Sequence, residues 1–363
     1  MTTRTPDAPP SGATSTTTTP LSGRGRRLPR RAPAGLFVLG AVVGYLLAVV
    51  TGGNYVLGII YAAVLGTLLT WGVSRAVDGR RAAADRLTTC LVVAAFLVAM
   101  IPLLSLVYVV ISKGAHRFDS TFFTNSMVGV IGAGGGAYHA ILGTLIITLL
   151  TSVISVPIGL LTAVYLVEYG HGRLARSITF MVDVMTGIPS IVAGLFAYAL
   201  FAIFFGPGIR MGLAGAVALS VLMIPVVVRS TEEVLKLVPN ELREASYALG
   251  VPTWRTIVKI VLPTAAAGLA TGITLAIARV IGETAPLLIT LGITNATQNN
   301  PFSDQRMATL PVYAFYQLTQ PGFPPKDGID RAWTAALVLI IIVMALNFVA
   351  RLISRFFAPK TGR

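Results

Sequence analysis

The sequence predicts an all-α integral membrane protein with about eight transmembrane helices. Hydrophobic residues make up 55% of its 363 residues and charged residues only 12%, and the mean hydropathy is +0.78. Apolar runs of about 20 residues, the length that a helix needs to cross a bilayer, recur along the chain. We place these runs near 35–51, 55–73, 87–112, 138–167, 178–205, 212–230, 264–291 and 332–356.

The N-terminal region differs in composition from the rest. Residues 1–34 are rich in Thr, Pro, Ser and Arg, which is typical of a disordered tail. A cleaved signal peptide is the competing interpretation, but the tail is long for one and no small-x-small pair follows the first run. Residues 35–75 are predicted to form an accessory transmembrane hairpin. Its helices could pack closely at glycines such as Gly40, Gly44, Gly58 and Gly66.

The distribution of basic residues predicts the topology. With the N-terminus in the cytoplasm, the cytoplasmic segments hold 21 of the 28 lysines and arginines and the outer segments hold six. The positive-inside rule therefore favours cytoplasmic N- and C-termini in a multi-pass protein of the cell membrane. Because the basic residues flank apolar runs, the formal charge of +14 indicates membrane orientation and not nucleic-acid binding.

No arrangement of residues typical of catalysis or metal binding occurs in the sequence. The single cysteine, Cys90, lies in an apolar run, and the three histidines are scattered. The segment 132–136 is glycine-rich but lacks the Lys-Ser/Thr of a phosphate-binding loop, so we expect a flexible extracellular connector. We predict a protein that is not an enzyme and binds no cofactor or metal.

An ionisable pair in the seventh run is the first candidate site. Arg279 and Glu283 are four residues apart and could pair on one helix face. An arginine near the bilayer centre costs roughly 2.5–3.5 kcal/mol, so it should face protein or water. The pair either holds helices together structurally or, with Thr284, forms part of a translocation path that attracts an anion. Pro286 should let the helix bend just beyond the Arg279–Glu283 pair.

The fifth run contains the second candidate. Gly187 and Pro189 predict a local helix break that turns Ser190 towards the interior, although a plain proline kink is the alternative. Asp183, near the cytoplasmic end of this run, lies at a depth similar to that of Arg229 at the end of the sixth run. We expect these two residues to form a structural ion pair.

Between the sixth and seventh runs, residues 231–263 predict two short amphipathic helices on the cytoplasmic side. Pro239 can start the first helix and Gly250 can end it. Thr253 can cap the second helix, and Leu262-Pro263 should stop it.

This loop resembles the EAA loop of importer-type ABC permeases. The family spacing is matched by Glu244, Ala245, Ser246, Gly250, Ile260, Leu262 and Pro263. Only Ser246, which replaces an alanine, departs from it. The resemblance implies that these residues couple the permease to a cytoplasmic ATPase by entering a cleft on it.

Further stretches resemble the permeases of phosphate-specific transport (Pst) systems. They are Val164–Tyr169, Ile188–Phe196 and Ala278–Leu288, and the Gly-Glu-Thr-Ala-Pro-Leu-Leu within the last is similar to the PstA type. The match covers about 138–350 and implies a six-helix permease core, residues 87–357. Residues 1–75 fall outside the resemblance.

The resemblance implies one permease subunit of an ATP-driven importer of inorganic phosphate. Its expected partners are a PstC-type second permease, a PstB-type ATPase dimer that holds ATP and Mg²⁺, and an extracytoplasmic PstS-type phosphate-binding protein. Two alternatives stay open. The substrate could be another oxyanion, such as sulfate or phosphonate, or the chain could be a secondary transporter that uses no ATP.

Overall fold

The computed structural model describes Pro29, residues 32–52 and residues 55–357, so most of the predicted tail, residues 1–34, lies outside the described residues. Within them the regular structure is helical and contains no strand. The chain divides into two compact units, with the boundary between Ser105 and Leu106.

The first unit consists of two helices and most of a third: α1 (Ala32–Val50), α2 (Tyr55–Val77) and α3 (Arg80–Gly114), which continues past the boundary. The predicted close packing of the hairpin is confirmed. A Cβ atom added at Gly40 would lie 2.5 Å from the Cα atom of Gly66, and one added at Gly44 would lie 2.5 Å from the backbone nitrogen of Ala62. The backbones of α1 and α2 therefore touch where glycine leaves room.

The second unit contains eleven further helices within the described residues. They are α4 (Ser120–Thr124), α5 (Tyr138–Val164), α6 (Gly172–Thr186), α7 (Ser190–Phe205), α8 (Gly212–Lys236), α9 (Asn240–Ala248), α10 (Thr253–Thr256), α11 (Leu262–Val280), α12 (Ala285–Thr290), α13 (Leu310–Thr319) and α14 (Pro325–Phe357). Two π-helical turns, Tyr165–Tyr169 and Ile257–Val261, follow α5 and α10.

Helices α5 and α8 form the centre of this unit. A Cβ atom at Gly159 would lie 2.7 Å from the side chain of Val227, so the two helices approach closely. The surrounding core is apolar and includes Ile147, Leu219 and Met223, all buried. This core extends to α11, α12 and α13. Helices α11 and α12, the segments on either side of the predicted anion path, therefore pack against it.

Seven helices in the described part of the chain are long and apolar enough to cross a membrane, and α6 with α7 adds an eighth if the pair is one crossing. The fifth run is not straight, because α6 and α7 meet at 109°. The break falls at the predicted glycine and proline. Pro189 disfavours helical geometry for the residue before it, which explains why α6 ends at Thr186 and α7 begins at Ser190.

The seventh run also differs from the expected single helix. Helix α11 ends at Val280, four residues intervene, and Pro286 lies in the first turn of α12. The predicted bend beyond the pair is therefore wrong, since the break precedes the proline. In a continuous helix the ring of Pro286 would clash with the carbonyl of Gly282, so the helix stops before that point.

The cytoplasmic loop departs from the prediction at its second helix, which Leu262-Pro263 does not stop. The chain is helical from Thr253 to Val280, with a π-helical turn just before Pro263. The longer repeat of this turn removes the clash between the proline ring and the carbonyl one turn earlier, so the helix continues. Thr253 is the first residue of α10 and makes no capping hydrogen bond from its side chain.

The glycine-rich connector is held in place, contrary to the expectation of a flexible segment. Gly135 and Gly136 are buried. The guanidinium of Arg117 donates hydrogen bonds to the carbonyls of Gly134 and Gly135, at 3.3 and 3.0 Å. Because glycine carries no side chain, the backbone carbonyls of this segment are accessible to arginine donors.

Candidate functional site

The first helix of the cytoplasmic loop follows the predicted signals. Helix α9 begins directly after Pro239. It ends near Gly250, which has a φ of +74° and whose backbone N–H donates a hydrogen bond to the carbonyl of Tyr247 at 2.9 Å. This left-handed conformation is one that glycine adopts without a steric penalty. The elbow between α9 and α10 therefore depends on glycine.

Ser246 joins the two helices of the loop. Its hydroxyl lies 2.8 Å from the hydroxyl of Thr256, and both residues are buried. The backbone N–H of Val251 also donates to the carbonyl of Ser246, at 3.2 Å. Ser246, the one residue that departs from the family motif, thus helps to fix the angle between α9 and α10. An alanine could not do so through its side chain.

A buried ion pair anchors the loop to the rest of the unit. Nη2 of Arg243 lies 2.8 Å from Oε1 of Glu168, in the π-helical turn after α5. The exposed fractions of the two side chains are only 13% and 4%. Arg243 also donates to the carbonyls of Val238 and Leu235, at 2.6 and 3.0 Å. One guanidinium therefore connects α9, the end of α8 and the end of α5.

Sequence reasoning missed this connection. Glu168 lies in a stretch that resembles the family and Arg243 directly precedes another, but 75 residues separate them. Their opposite charges in two predicted cytoplasmic segments are the one signal that the sequence offers, and such charges also occur where no pair forms.

The predicted coupling residues fall into two groups. Glu244, Ala245, Gly250 and Pro263 are exposed, whereas Ser246 is buried and Ile260 and Leu262 are half-buried. Large apolar side chains surround the exposed group, among them Leu249 with 83% of its surface accessible and Trp254 with 57%. An exposed apolar patch of this kind marks an interaction surface. The buried group serves the packing of the loop within this chain.

The expected pair of Asp183 and Arg229 is present as an ion pair and hydrogen bond. Nη1 of Arg229 also lies 2.8 Å from Glu232, whose carboxylate lies 2.6 Å from Nζ of Lys236. The pair therefore belongs to a row of alternating charges that connects α6 to the end of α8.

The two helix breaks lie beside each other. A Cβ atom at Gly194 would lie 2.6 Å from the Cα atom of Pro286, so α7 and α12 make backbone contact. Ser190 is one turn before this contact, and Thr284 directly precedes α12. Both residues are half-buried. The structure thus brings together α7, which begins at Ser190, and α12, which directly follows Thr284.

Arg279 and Glu283 do not pair. Because α11 ends at Val280, the two residues do not share a continuous helix face. Arg279 is exposed and Glu283 is half-buried, and within the described part of the chain neither takes part in an ion pair or a side-chain hydrogen bond. The helix break thus leaves both charged groups available to contact a solute or another subunit.

Comparisons with known proteins show the family of the chain. Residues 155–363 match the family model "Binding-protein-dependent transport system inner membrane component". The chain is 47% identical, over 80% of its length and 94% of the relative, to phosphate transport system permease protein PstA 1 of Mycobacterium tuberculosis. It is 37% identical to phosphate transport system permease protein PstA of Yersinia pestis, over 76% of this chain and 90% of that one.

A solved structure shares the fold. A chain of a bacterial alginate ABC transporter, crystallised with a periplasmic protein that holds an alginate pentasaccharide, matches with a TM-score of 0.54 at 14% identity, over 77% of this chain and 97% of that one. The chain therefore belongs to the family of binding-protein-dependent transport system inner membrane components, and within it to the PstA-type permeases.

Proposed function

We propose that this chain is one of two permease subunits of an ATP-driven importer of inorganic phosphate. The observation that carries the proposal is the exposed surface of α9 and α10, with Glu244, Ala245 and Gly250 accessible and their helix held by the buried Arg243–Glu168 pair. The substrate follows from the relatives, which are named as phosphate transport permeases.

In this proposal a PstB-type ATPase dimer, which binds ATP and Mg²⁺, docks on the exposed surface of the loop. Closure of the ATPases moves α9, and the Arg243–Glu168 pair transmits the movement to the end of α5. The continuous helix from Thr253 to Val280 carries it to the other end of the bundle. A PstC-type permease completes the path, and the N- and C-termini lie in the cytoplasm.

Arg279 is the proposed contact for the anion, because its guanidinium is exposed and has no counter-ion within the described chain. Glu283 would repel a fully deprotonated oxyanion but can accept a hydrogen bond from the P–OH group that phosphate retains near neutral pH. Arg279 and Glu283 do not neutralise each other, so Arg279 can attract the anion. The nearby carboxylate of Glu283 limits the affinity for the anion and so permits its release. Ser190 and Thr284 are the proposed hydroxyl groups of the same path.

The test is to purify the chain with its partner permease and ATPase and to measure ATP hydrolysis. A PstS-type binding protein loaded with phosphate should stimulate hydrolysis several-fold, whereas the same protein without phosphate should not. A complex that lacks an ATPase, or whose hydrolysis responds only to a sulfate- or phosphonate-binding protein, would contradict the proposal.

A further inference from the structure

A cavity of about 380 Å³ opens at the end of the second unit that lies opposite the cytoplasmic loop. Its wall is formed by the glycine-rich connector, the segment before α13, the end of α13 and the start of α14. Polar side chains reach it from Asn295, Gln317, Gln320 and Arg331. None of these residues belongs to the proposed path or to the coupling loop.

Arg331 is the unusual member of this wall, because it is a buried cation with only 3% of its surface exposed. Nη1 donates to the carbonyls of Gly132 and Gly134, at 2.7 and 3.2 Å, and Nε donates to Oε1 of Gln317 at 3.2 Å. These bonds fix the guanidinium. Nη2, with its two N–H groups, takes part in none of the hydrogen bonds that Arg331 makes within the described chain.

The charge of Arg331 has no ion-pair partner among the described residues: Asp327 attracts it only from beyond 4 Å, and the neighbouring Arg117 opposes it. No carboxylate among the described residues lies within 4 Å of it, and the neighbouring Arg117, which shares the carbonyl of Gly134, has Asp119 at 3.4 Å. Neutral carbonyls satisfy donors but do not cancel a full charge, and a buried charge without an opposite partner is costly. The wall therefore presents a buried positive charge with free donors and no ion-pair partner, which suits an anionic oxygen ligand.

The rim of the cavity indicates the kind of ligand. Ile131 is 93% exposed and Phe323 is 86% exposed, and both line the opening. A small oxyanion gains nothing from such side chains, whereas a protein that covers them buries apolar surface. A buried arginine surrounded by an apolar rim is the composition of an interface hot spot.

We propose that this cavity receives an acidic side chain of the extracytoplasmic binding protein, with Arg331 as its partner and Ile131 and Phe323 as flanking contacts. The inference rests on the proposed function for the identity of the docked protein. It adds the position of the contact and the charge of the group that enters it.

The test changes the charge at Gln320, which lines the cavity and is exposed, so that both variants should fold. Gln320→Glu and Gln320→Lys are compared in the purified permease–ATPase complex, with phosphate-loaded binding protein as the probe. We expect Gln320→Glu to weaken association about tenfold and Gln320→Lys to leave it unchanged or strengthen it, at low salt. Phe323→Ser should weaken association without a dependence on salt. The matched control is Asn299, exposed and outside the cavity wall, where Asn299→Glu and Asn299→Lys should change affinity less than twofold.

Equal effects of the two Gln320 variants, or none, would overturn the inference if the wild-type complex still responds to loaded binding protein. The inference would also be overturned if the two Gln320 variants had opposite effects on the binding of free radiolabelled phosphate while association of the binding protein stayed unchanged. That result would show that the cavity binds the ion itself. A wild-type complex whose ATP hydrolysis ignores loaded binding protein would instead contradict the proposed function.

Discussion

Arg243 and Glu168 form a buried ion pair, 2.8 Å between Nη2 and Oε1, that joins the cytoplasmic loop to the end of α5. The arginine also donates to two backbone carbonyls at the end of α8. A side chain that holds three elements at one point lets them move together, which is what transmission of ATPase movement requires. The pair is therefore the mechanical link in the proposed mechanism.

Arg243→Gln should destabilise the protein by about 3–5 kcal/mol, because it leaves the Glu168 carboxylate buried without a partner. Thermal unfolding of the purified complex and the amount of protein in the membrane measure the loss. Lys236→Gln is the control, since Lys236 is exposed and, among the described residues, pairs with Glu232 alone. Adding Glu168→Gln should recover part of the loss, because it removes the unpaired charge. Exchanging the two charges should not help, since a glutamate at 243 cannot donate to the carbonyls. Losses that simply add in the Gln/Gln double variant would contradict a coupled pair.

Gly250→Trp should abolish phosphate uptake and detach the ATPase, or leave its activity unresponsive to phosphate, while the permease stays in the membrane. The side chain of tryptophan would occupy the surface that enters the ATPase cleft, and the φ of +74° adds strain of about 1–2 kcal/mol. Gly250→Asn is the matched variant, because asparagine tolerates this conformation, and it should retain more ATPase than Gly250→Ala does. Copurification of the ATPase and uptake assays check both, and normal uptake with Gly250→Trp would remove the docking claim.

Gly194→Ala should reduce transport strongly, because the added methyl group would lie 2.6 Å from the Cα atom of Pro286 and force α7 and α12 apart. Overpacking of this kind costs about 1–3 kcal/mol. Gly187→Ala is the control within the same broken pair of helices. Its φ is −87°, and the only neighbour of an added Cβ is a carbonyl oxygen 3.5 Å away. Uptake assays at matched protein levels compare the two, and equal activity would show that the close approach of α7 and α12 is not needed for transport.

Breaking the Asp183–Arg229 pair should have a smaller effect. Asp183 has 58% of its side chain exposed, and Arg229 keeps Glu232 as a second partner. We expect Asp183→Asn to cost about 0.2–1 kcal/mol and to lower protein levels modestly. Combining Asp183→Arg with Arg229→Asp should recover only part, since the new aspartate would face Glu232. Full recovery in membrane levels would mean that Glu232 does not contribute.

Some local signals in the sequence predicted local features correctly, although Thr253 and Pro263 did not. Pro239 and Gly250 bound α9 because their effects on the backbone are intrinsic, and Pro189 marks the break before α7 for the same reason. The shallow pair of Asp183 and Arg229 could be predicted from depth and charge alone.

Features that depend on how one segment meets another could not be predicted. The i,i+4 spacing of Arg279 and Glu283 indicates pairing only within a continuous helix, and α11 ends at Val280. The role of Ser246 depends on Thr256, which a change in chain direction brings to 2.8 Å. The helix through Pro263 continues because of a π-helical turn, for which the sequence has no clear signature.

Uptake of radiolabelled phosphate into proteoliposomes that contain the complete complex distinguishes ATP-driven phosphate import from the alternatives. We expect uptake to require both ATP and phosphate-loaded binding protein and to resist excess sulfate. Arg279→Gln should lower uptake at least about tenfold, equivalent to about 1.4 kcal/mol, with assembly intact. Uptake that proceeds without ATP, that sulfate inhibits as effectively as phosphate does, or that Arg279→Gln leaves unchanged would contradict the proposed function.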